Sequence, residues 1–254
     1  MNSIANLNIS SLLIASSLIL VSLFLSYSQK LNLEKETIIG VIRAIIQLTI
    51  VGYLLKIIFG LKNPIFTTLL LLFMVFNASY NAAKRGKGIK SAMSISFISI
   101  SVGSLFTLAV LLMAGAIKYQ PYQIIPVGGM IISNAMICLG LCFKELTSGF
   151  KNRREEVETK LALGADILTS SKDIIRSSIK TGMIPTIDST KTLGIVALPG
   201  MMTGLILAGT PPIEAIKFQL MVTFMMLSTT AISSFVACYL AYSKFFNERK
   251  QLIL

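Results

Sequence analysis

The sequence predicts an all-α integral membrane protein: a bundle of about seven transmembrane helices forming one domain over residues 1–254, with a cytoplasmic helical segment at 144–192. Three observations predict it. Of 254 residues, 54% are hydrophobic and 13% charged, and the mean hydropathy is +0.77, whereas soluble domains carry about a quarter charged residues. Seven stretches approach the ~20 apolar residues a helix needs to cross the hydrocarbon core. The cations cluster between alternate stretches, as the cytoplasmic preference of Lys and Arg requires.

The first span is read at Ile9–Tyr27. The preceding "MNSIANLNIS" lacks the basic region of a secretory leader, so the span is expected to be retained, although "SYS" at Ser26–Ser28 superficially resembles a cleavage site. Lys30 and Lys35 follow it. The second and third spans are Thr37–Phe59 and Pro64–Ala83, and behind the third comes "KRGKGIK", four cations in seven residues. The fourth and fifth are Ser91–Ile117 and Tyr122–Phe143. The sixth, Leu193–Thr210, is short and holds Pro199; the seventh is Ala215–Tyr242, followed by Lys244, Arg249 and Lys250. Most of the 23 cations then share one side, and the other keeps Lys62, Lys118 and Lys217. This implies a multi-pass protein of the cell (inner or plasma) membrane with its N-terminus outside and C-terminus cytoplasmic. The net charge of +12 reads as this inward bias, so the expected surroundings are membrane lipid and no nucleic acid.

Between the fifth and sixth spans, Val157, Leu161, Leu168, Ile175 and Ile179 recur at helical spacing. Gly164 interrupts them as a turn residue. Ser170 and Asp173 fit a capping box that restarts a helix, and Pro185 permits a further start. The expected unit is helix, glycine turn, helix, held against the cytoplasmic face.

Chemistry-bearing residues are few. There is no histidine, which removes imidazole bases and ligands. Of three cysteines, Cys138 and Cys142 lie four apart and could offer soft ligands from one helix face; small buried thiols are more often packing groups, and no metal site is assigned. Polar side chains inside spans are costly and are candidates by default: Arg43 with Gln47, Asn77 with Asn81, and Asn134. Their alternatives are snorkelling for Arg43 and interhelical hydrogen bonding for the asparagines. No Asp or Glu falls in an expected span, so a carboxylate-driven carrier has no obvious residue. A nucleotide-binding G-x-x-x-x-G-K-[ST] is also lacking, so the chain is not expected to be an enzyme.

"IVALPGMMTGLILAGTPP", from Ile195, breaks its own helix. Pro199 removes an amide donor, and Gly200, Gly204 and Ala208 form a small-residue face suited to close helix approach. Broken backbone at membrane depth is tolerated only inside protein or along a wet cavity, and transporter sites use such breaks. Pro199, Gly200, Met201, Met202, Thr203 and Gly204 are therefore candidates to line a substrate path, the alternative being a kinked packing helix. The two methionines could serve as thioether ligands or as gap fillers.

Together with "RAIIQLTIVGY" from Arg43, "GMIISNAM" from Gly129 and "LALGA" from Leu161, the stretch "MIPTIDSTKTLGIVALPGMMTGLILAGTPPIEAIKFQ" from Met183 resembles the FetB-type permeases of iron-export ABC transporters, the family that includes the plant aluminium-sensitivity membrane proteins. The resemblance covers nearly the whole chain. It departs at Asp188, where Asn is expected, and at Leu205, where Gln is usual. It implies a permease subunit that exports iron or another metal and works as a homodimer with a separate ATP-binding subunit. ATP and Mg would sit on that partner, with no cofactor on this chain. Glu158 and Gly164 repeat the six-residue spacing of a coupling loop in ABC importer permeases, so Glu158, Leu161, Gly164, Asp166 and Asp173 are the residues expected to contact the ATPase. A non-transporting membrane scaffold or regulator and a secondary carrier are the alternative functions.

Overall fold

The computed structural model describes residues 9–61 and 63–253. Lys62, counted above among the outer cations, and Met1–Asn8, part of the leader reading, lie outside the described residues. The chain forms two compact units, Met1–Lys62 and Asn63–Leu254.

The first unit holds α1 (Ile9–Ser16), α2 (Leu18–Ser28) and α3 (Glu34–Leu61). The expected first span is thus interrupted at Ser17, whose hydroxyl donates to the Ile14 carbonyl at 2.6 Å; such back-bonding competes with the helix ladder. Its pieces have 8 and 11 residues, and neither alone matches the thickness of a bilayer core. Lys30 and Asn32 take left-handed backbone in the following turn. Ser26 locks that turn, donating to Glu34 Oε1 at 2.7 Å and accepting from the Leu33 amide at 3.2 Å. α3 has 28 residues and opens with Glu34 and Glu36, carboxylates suited to the positive end of a helix dipole.

The second unit holds α4 (Pro64–Arg85), α5 (Ala92–Met113), α6 (Pro121–Asn152), α7 (Arg154–Ala162), α8 (Ile167–Thr192), α9 (Gly200–Leu207) and α10 (Pro212–Ala241), ending in a 3-10 turn at Tyr242–Phe245. Asn63 caps α4 by accepting from the Ile65 amide at 2.9 Å, with Pro64 at the first helical position, where a missing N–H costs nothing. Among the described residues, five helices are long and apolar enough to cross a membrane: Glu34–Gly60, Pro64–Arg85, Ala92–Met113, Pro121–Asn152 and Pro212–Phe245.

α6 is the centre, packed against α4, α5, α8 and α10. Its buried Ala135, Leu139, Phe143, Leu146 and Phe150 join Val75 and Ala82 of α4, Ile95 and Ile100 of α5, Ile174 and Ile175 of α8 and Ala237 of α10 in one core. Small residues set the helix spacing. A methyl group on Gly149 would meet Ile174 at 2.7 Å, and one on Gly128 would meet Leu71 at 2.5 Å. Buried hydroxyls are mostly satisfied within their own helices, as in Ser99 to Ile95 at 2.7 Å and Ser178 to Ile174 at 2.8 Å, while the Thr229 and Thr107 hydroxyls bridge α10 and α5 at 2.8 Å.

Four expectations need correction. The expected sixth span, Leu193–Thr210, is not one helix: Gly194 turns the chain with φ 81, Leu193 pairs with Ala197, and α9 has only 8 residues, about 12 Å long. α8 starts at Ile167 under Asp166, which accepts from the Thr169 amide at 3.2 Å; Ser170 therefore lies inside the helix, buried, its hydroxyl without a partner. Pro185 likewise lies inside α8 and starts no helix. Finally, nothing lies within 4 Å of a side chain added at Gly200 or Gly204, so within one chain the small-residue face is not a helix contact. The segment 144–192 is divided among the end of α6, α7 and α8, and α8 lies along α6 and α10.

Candidate functional site

The turn between α7 and α8 is built from its sequence with few alternatives. Gly164 takes φ 91, its amide bonding Leu161 and the Ala165 amide bonding Lys160, both at 3.0 Å. This paired closure satisfies the last carbonyls of α7. Lys160 then ties the helices together, at 2.7 Å from Glu156 and 3.2 Å from Asp173. Those two carboxylates, Glu156 first, hold the Lys160 ammonium above its usual range, and the Thr169 hydrogen bond holds the Asp166 carboxyl below its own. Glu158 is paired with Arg154 at 2.7 Å. Of the five residues expected to face an ATPase, Glu158, Gly164, Asp166 and Asp173 are exposed and Leu161 is half-buried.

The chain's end forms the other wall of this corner. Phe246 and Leu252 pair across a tight loop, the Asn247 amide bonding the Gln251 carbonyl at 2.9 Å. Phe150 anchors the loop, stacked on Phe245 at 4.4 Å between ring centroids and edge-on to Phe246 at 5.7 Å. Between loop and α7 lies a groove of about 720 Å³, lined by Arg154, Glu158, Leu161, Gly164 and Ala165 on one side and residues 249–252 on the other. Counting the tail only as charge missed this wall; the spacing of Phe245, Phe246 and Leu252 was its only sequence signal.

The second region is the break between α8 and α9. Opposite Cys138 and Cys142, Gly182 lets α8 press on α6: a methyl there would meet the Cys138 carbonyl at 3.0 Å and its Sγ at 3.1 Å, and the Cys142 Sγ closer still. Asp188 lies six residues further along, about 9 Å at the helical rise, beside the apolar half of α6 that precedes Cys138. Asp188 falls in none of the expected spans, and α8 is not among the five helices long and apolar enough to cross a membrane. Asp188 is exposed and pairs with exposed Lys191 at 3.0 Å. It continues a stripe of exposed side chains on α8 that includes Lys172, Arg176 and Lys180, whereas Ser171, Ile174, Ser178, Gly182 and Thr186 are buried on the opposite face. The signal was present as an i, i+4 pattern, but a hydropathy search discards so polar a helix.

The other candidates are dispersed. Arg43 and Gln47 are exposed on α3. The Asn81 side-chain amide donates to Asn77, reaching its Oδ1 at 2.7 Å, and that of Asn134 donates to the Met130 carbonyl at 2.9 Å; both bonds stay within one helix. On α9, Met201 packs against the core of Ile124, Ile131 and Val222, Thr203 bonds the carbonyls of Pro199 and Gly200 at 3.1 and 3.0 Å, and Met202 is half-buried. Cys138, Cys142 and Cys238 are buried free thiols. Among the described residues no group of three or more Cys, Asp or Glu is arranged to hold a metal ion.

The chain has relatives among known membrane proteins. A family model described as "Uncharacterised protein family (UPF0014)" matches residues 9–246. The chain is 49% identical to the "Probable iron export permease protein FetB" of Escherichia coli (strain K12), over 98% of this chain and 96% of that one. It is 39% identical to the "UPF0014 membrane protein YjkA" of Bacillus subtilis (strain 168), over 92% and 94%, and 36% identical to the "Protein ALUMINUM SENSITIVE 3" of Arabidopsis thaliana, over 92% and 86%. No solved structure matches.

Proposed function

This chain belongs to the UPF0014 family of membrane proteins, and from that premise we propose that it is the permease subunit of an ABC transporter, exporting iron or another metal. One observation carries the reading: near-full-length similarity, at 49% identity, to a protein named as a probable iron export permease. ATP and Mg belong to a separate cytoplasmic subunit, and the permease acts as a homodimer. The N-terminus lies outside and the C-terminus inside, an orientation supported by the cations of "KRGKGIK" and the chain's end. In that orientation α7, the Gly164 turn and the terminal loop share the cytoplasmic face. Their groove receives the ATPase, whose nucleotide-driven closure is transmitted through α8 to the break before α9.

The experiment is co-purification of the chain with an ATP-binding subunit, followed by ATP-dependent movement of iron(II) in vesicles containing both. A scaffold binds the subunit and moves no metal. A secondary carrier has one observation in its favour, Asp188 beside the apolar part of α6; it would move metal without the subunit, driven by an ion gradient. Cysteine labelling that placed Lys87 outside or Pro212 inside would overturn the orientation.

A further inference from the structure

An ion pair exposed beside the apolar part of a membrane helix demands an explanation. α8 shares its length with α6, and Ile174 against Gly149 and Gly182 against Cys138 and Cys142 fix the two as antiparallel. Cys138 in turn donates to the Thr230 carbonyl of α10 at 3.7 Å, so Gly182 lies within the three-helix core. Following α8 onward by about 9 Å brings Asp188, Ser189, Lys191 and Thr192 alongside the most apolar portion of α6, all but the helix's buried face being open. Where α6 crosses the bilayer, lipid cannot cover such groups: charged side chains within the hydrocarbon are rare and face protein or water-filled cavities. The helix also ends there. Its last carbonyls carry the negative end of the dipole, and the chain turns at Gly194 before α9 begins.

Resting on the permease reading, we infer that the exposed stripe of α8 lines the aqueous path and that Asp188 is a contact for the divalent cation in transit. The carboxylate of Asp188, with the hydroxyls of Ser189 and of Thr192, the latter donating to the Asp188 and Ser189 carbonyls at 3.3 and 3.0 Å, offers the oxygen donors that hard divalent cations take. Lys191 occupies the carboxylate when no cation is present and competes with the cargo. One carboxylate and two hydroxyls make a weak contact, as transit requires: an ion must be able to leave as well as enter.

The test uses the complete permease in vesicles with manganese(II) as the probe cation. Single cysteines are introduced as Ser189→Cys and Thr192→Cys and exposed to a charged, membrane-impermeant methanethiosulfonate. The native thiols are buried, so the unsubstituted chain supplies the background, and Phe106→Cys on the exposed face of α5 supplies a comparison site on a helix apolar enough to cross a membrane. The α8 cysteines should react at least about ten-fold faster than the control, and manganese(II) should slow them. Asp188→Ala should abolish that protection, Asp188→Glu should retain it, and Lys191→Gln should tighten it about two- to five-fold, the scale of an exposed ion pair. α8 cysteines as inert as Phe106→Cys would overturn the path, and protection that survives Asp188→Ala would overturn the contact. Neither readout requires ATP or net export. Failure of iron export with normal labelling would therefore sink the permease reading, while normal export with inert cysteines would sink this one.

Discussion

Replacing Gly182 with alanine tests whether α8 lies against α6. Alanine is favoured over glycine inside a helix by about 0.8–1 kcal/mol, so on an unopposed face the change would stabilise. Here the new methyl would meet the Cys138 carbonyl at 3.0 Å and the Cys138 Sγ at 3.1 Å, and would overlap the Cys142 Sγ. The carbonyl belongs to α6 itself and cannot swing aside. Overpacking of this kind costs roughly 1–3 kcal/mol, and with three atoms opposed at once the upper half of that range applies. Set against the propensity gain, the net loss is about 1–2 kcal/mol. At about 2–4 °C per kcal/mol for a chain of this size, the melting temperature should fall by about 2–8 °C. A thiol-reactive dye reads the same contact directly, because Cys138 and Cys142 are buried there; their labelling should accelerate about 5- to 30-fold. Adding Cys142→Ala should recover part of the loss by removing one of the opposed atoms. The matched control is Gly204→Ala, where nothing lies within 4 Å and no loss is expected. A Gly182→Ala protein as stable and as slowly labelled as the unsubstituted one would refute the packing of α8 on α6.

Gly164→Leu has open space for its side chain but requires a left-handed backbone at φ 91, costing roughly 1–2 kcal/mol. It should distort the α7–α8 turn and weaken ATPase stimulation with the permease still inserted, and unchanged stimulation would place the docking surface elsewhere. Phe150→Ala removes the ring on which the terminal loop rests and should cost about 3–5 kcal/mol; limited proteolysis should then cut the loop first, and an uncut loop would show that Phe246 and Leu252 suffice. The pH dependence of the α7–α8 corner has two opposite limbs. Asp166, lowered by its bond to Thr169, contributes above its ordinary 3.8 and loses the contribution as pH falls. Lys160, raised by Glu156 and Asp173, contributes below its ordinary 10.5 and loses it as pH rises past that value. Hydrogen exchange at Gly164 and Ala165, corrected for the intrinsic rate, should therefore be flat from about pH 5 to 9, and a transition near neutrality would contradict these pairings.

What the sequence determined by itself is the set of helices that lipid selects. Thr37–Phe59, Pro64–Ala83, Ser91–Ile117, Tyr122–Phe143 and Ala215–Tyr242 each lie on or largely within a long helix of the structure, because a side chain facing hydrocarbon must be apolar whatever its neighbours are. The turn at Gly164 was legible for a similarly local reason: a left-handed residue closing a helix favours glycine. Tertiary structure decided the rest. α8 is too polar to be recognised by transfer to lipid, yet its Ser171, Ser178, Gly182 and Thr186 are buried, and what they meet is α6 and α10. Apolar Ile195, Val196 and Leu198 suggested a span, but Gly194 and Pro199 bend that stretch into a connection and leave all three exposed. The terminal loop depends on Phe150, nearly a hundred residues earlier in the chain. Hydropathy measures a residue's preference for lipid, whereas helix packing depends on whether two surfaces can approach, and that is a property of pairs of helices brought together only by the fold.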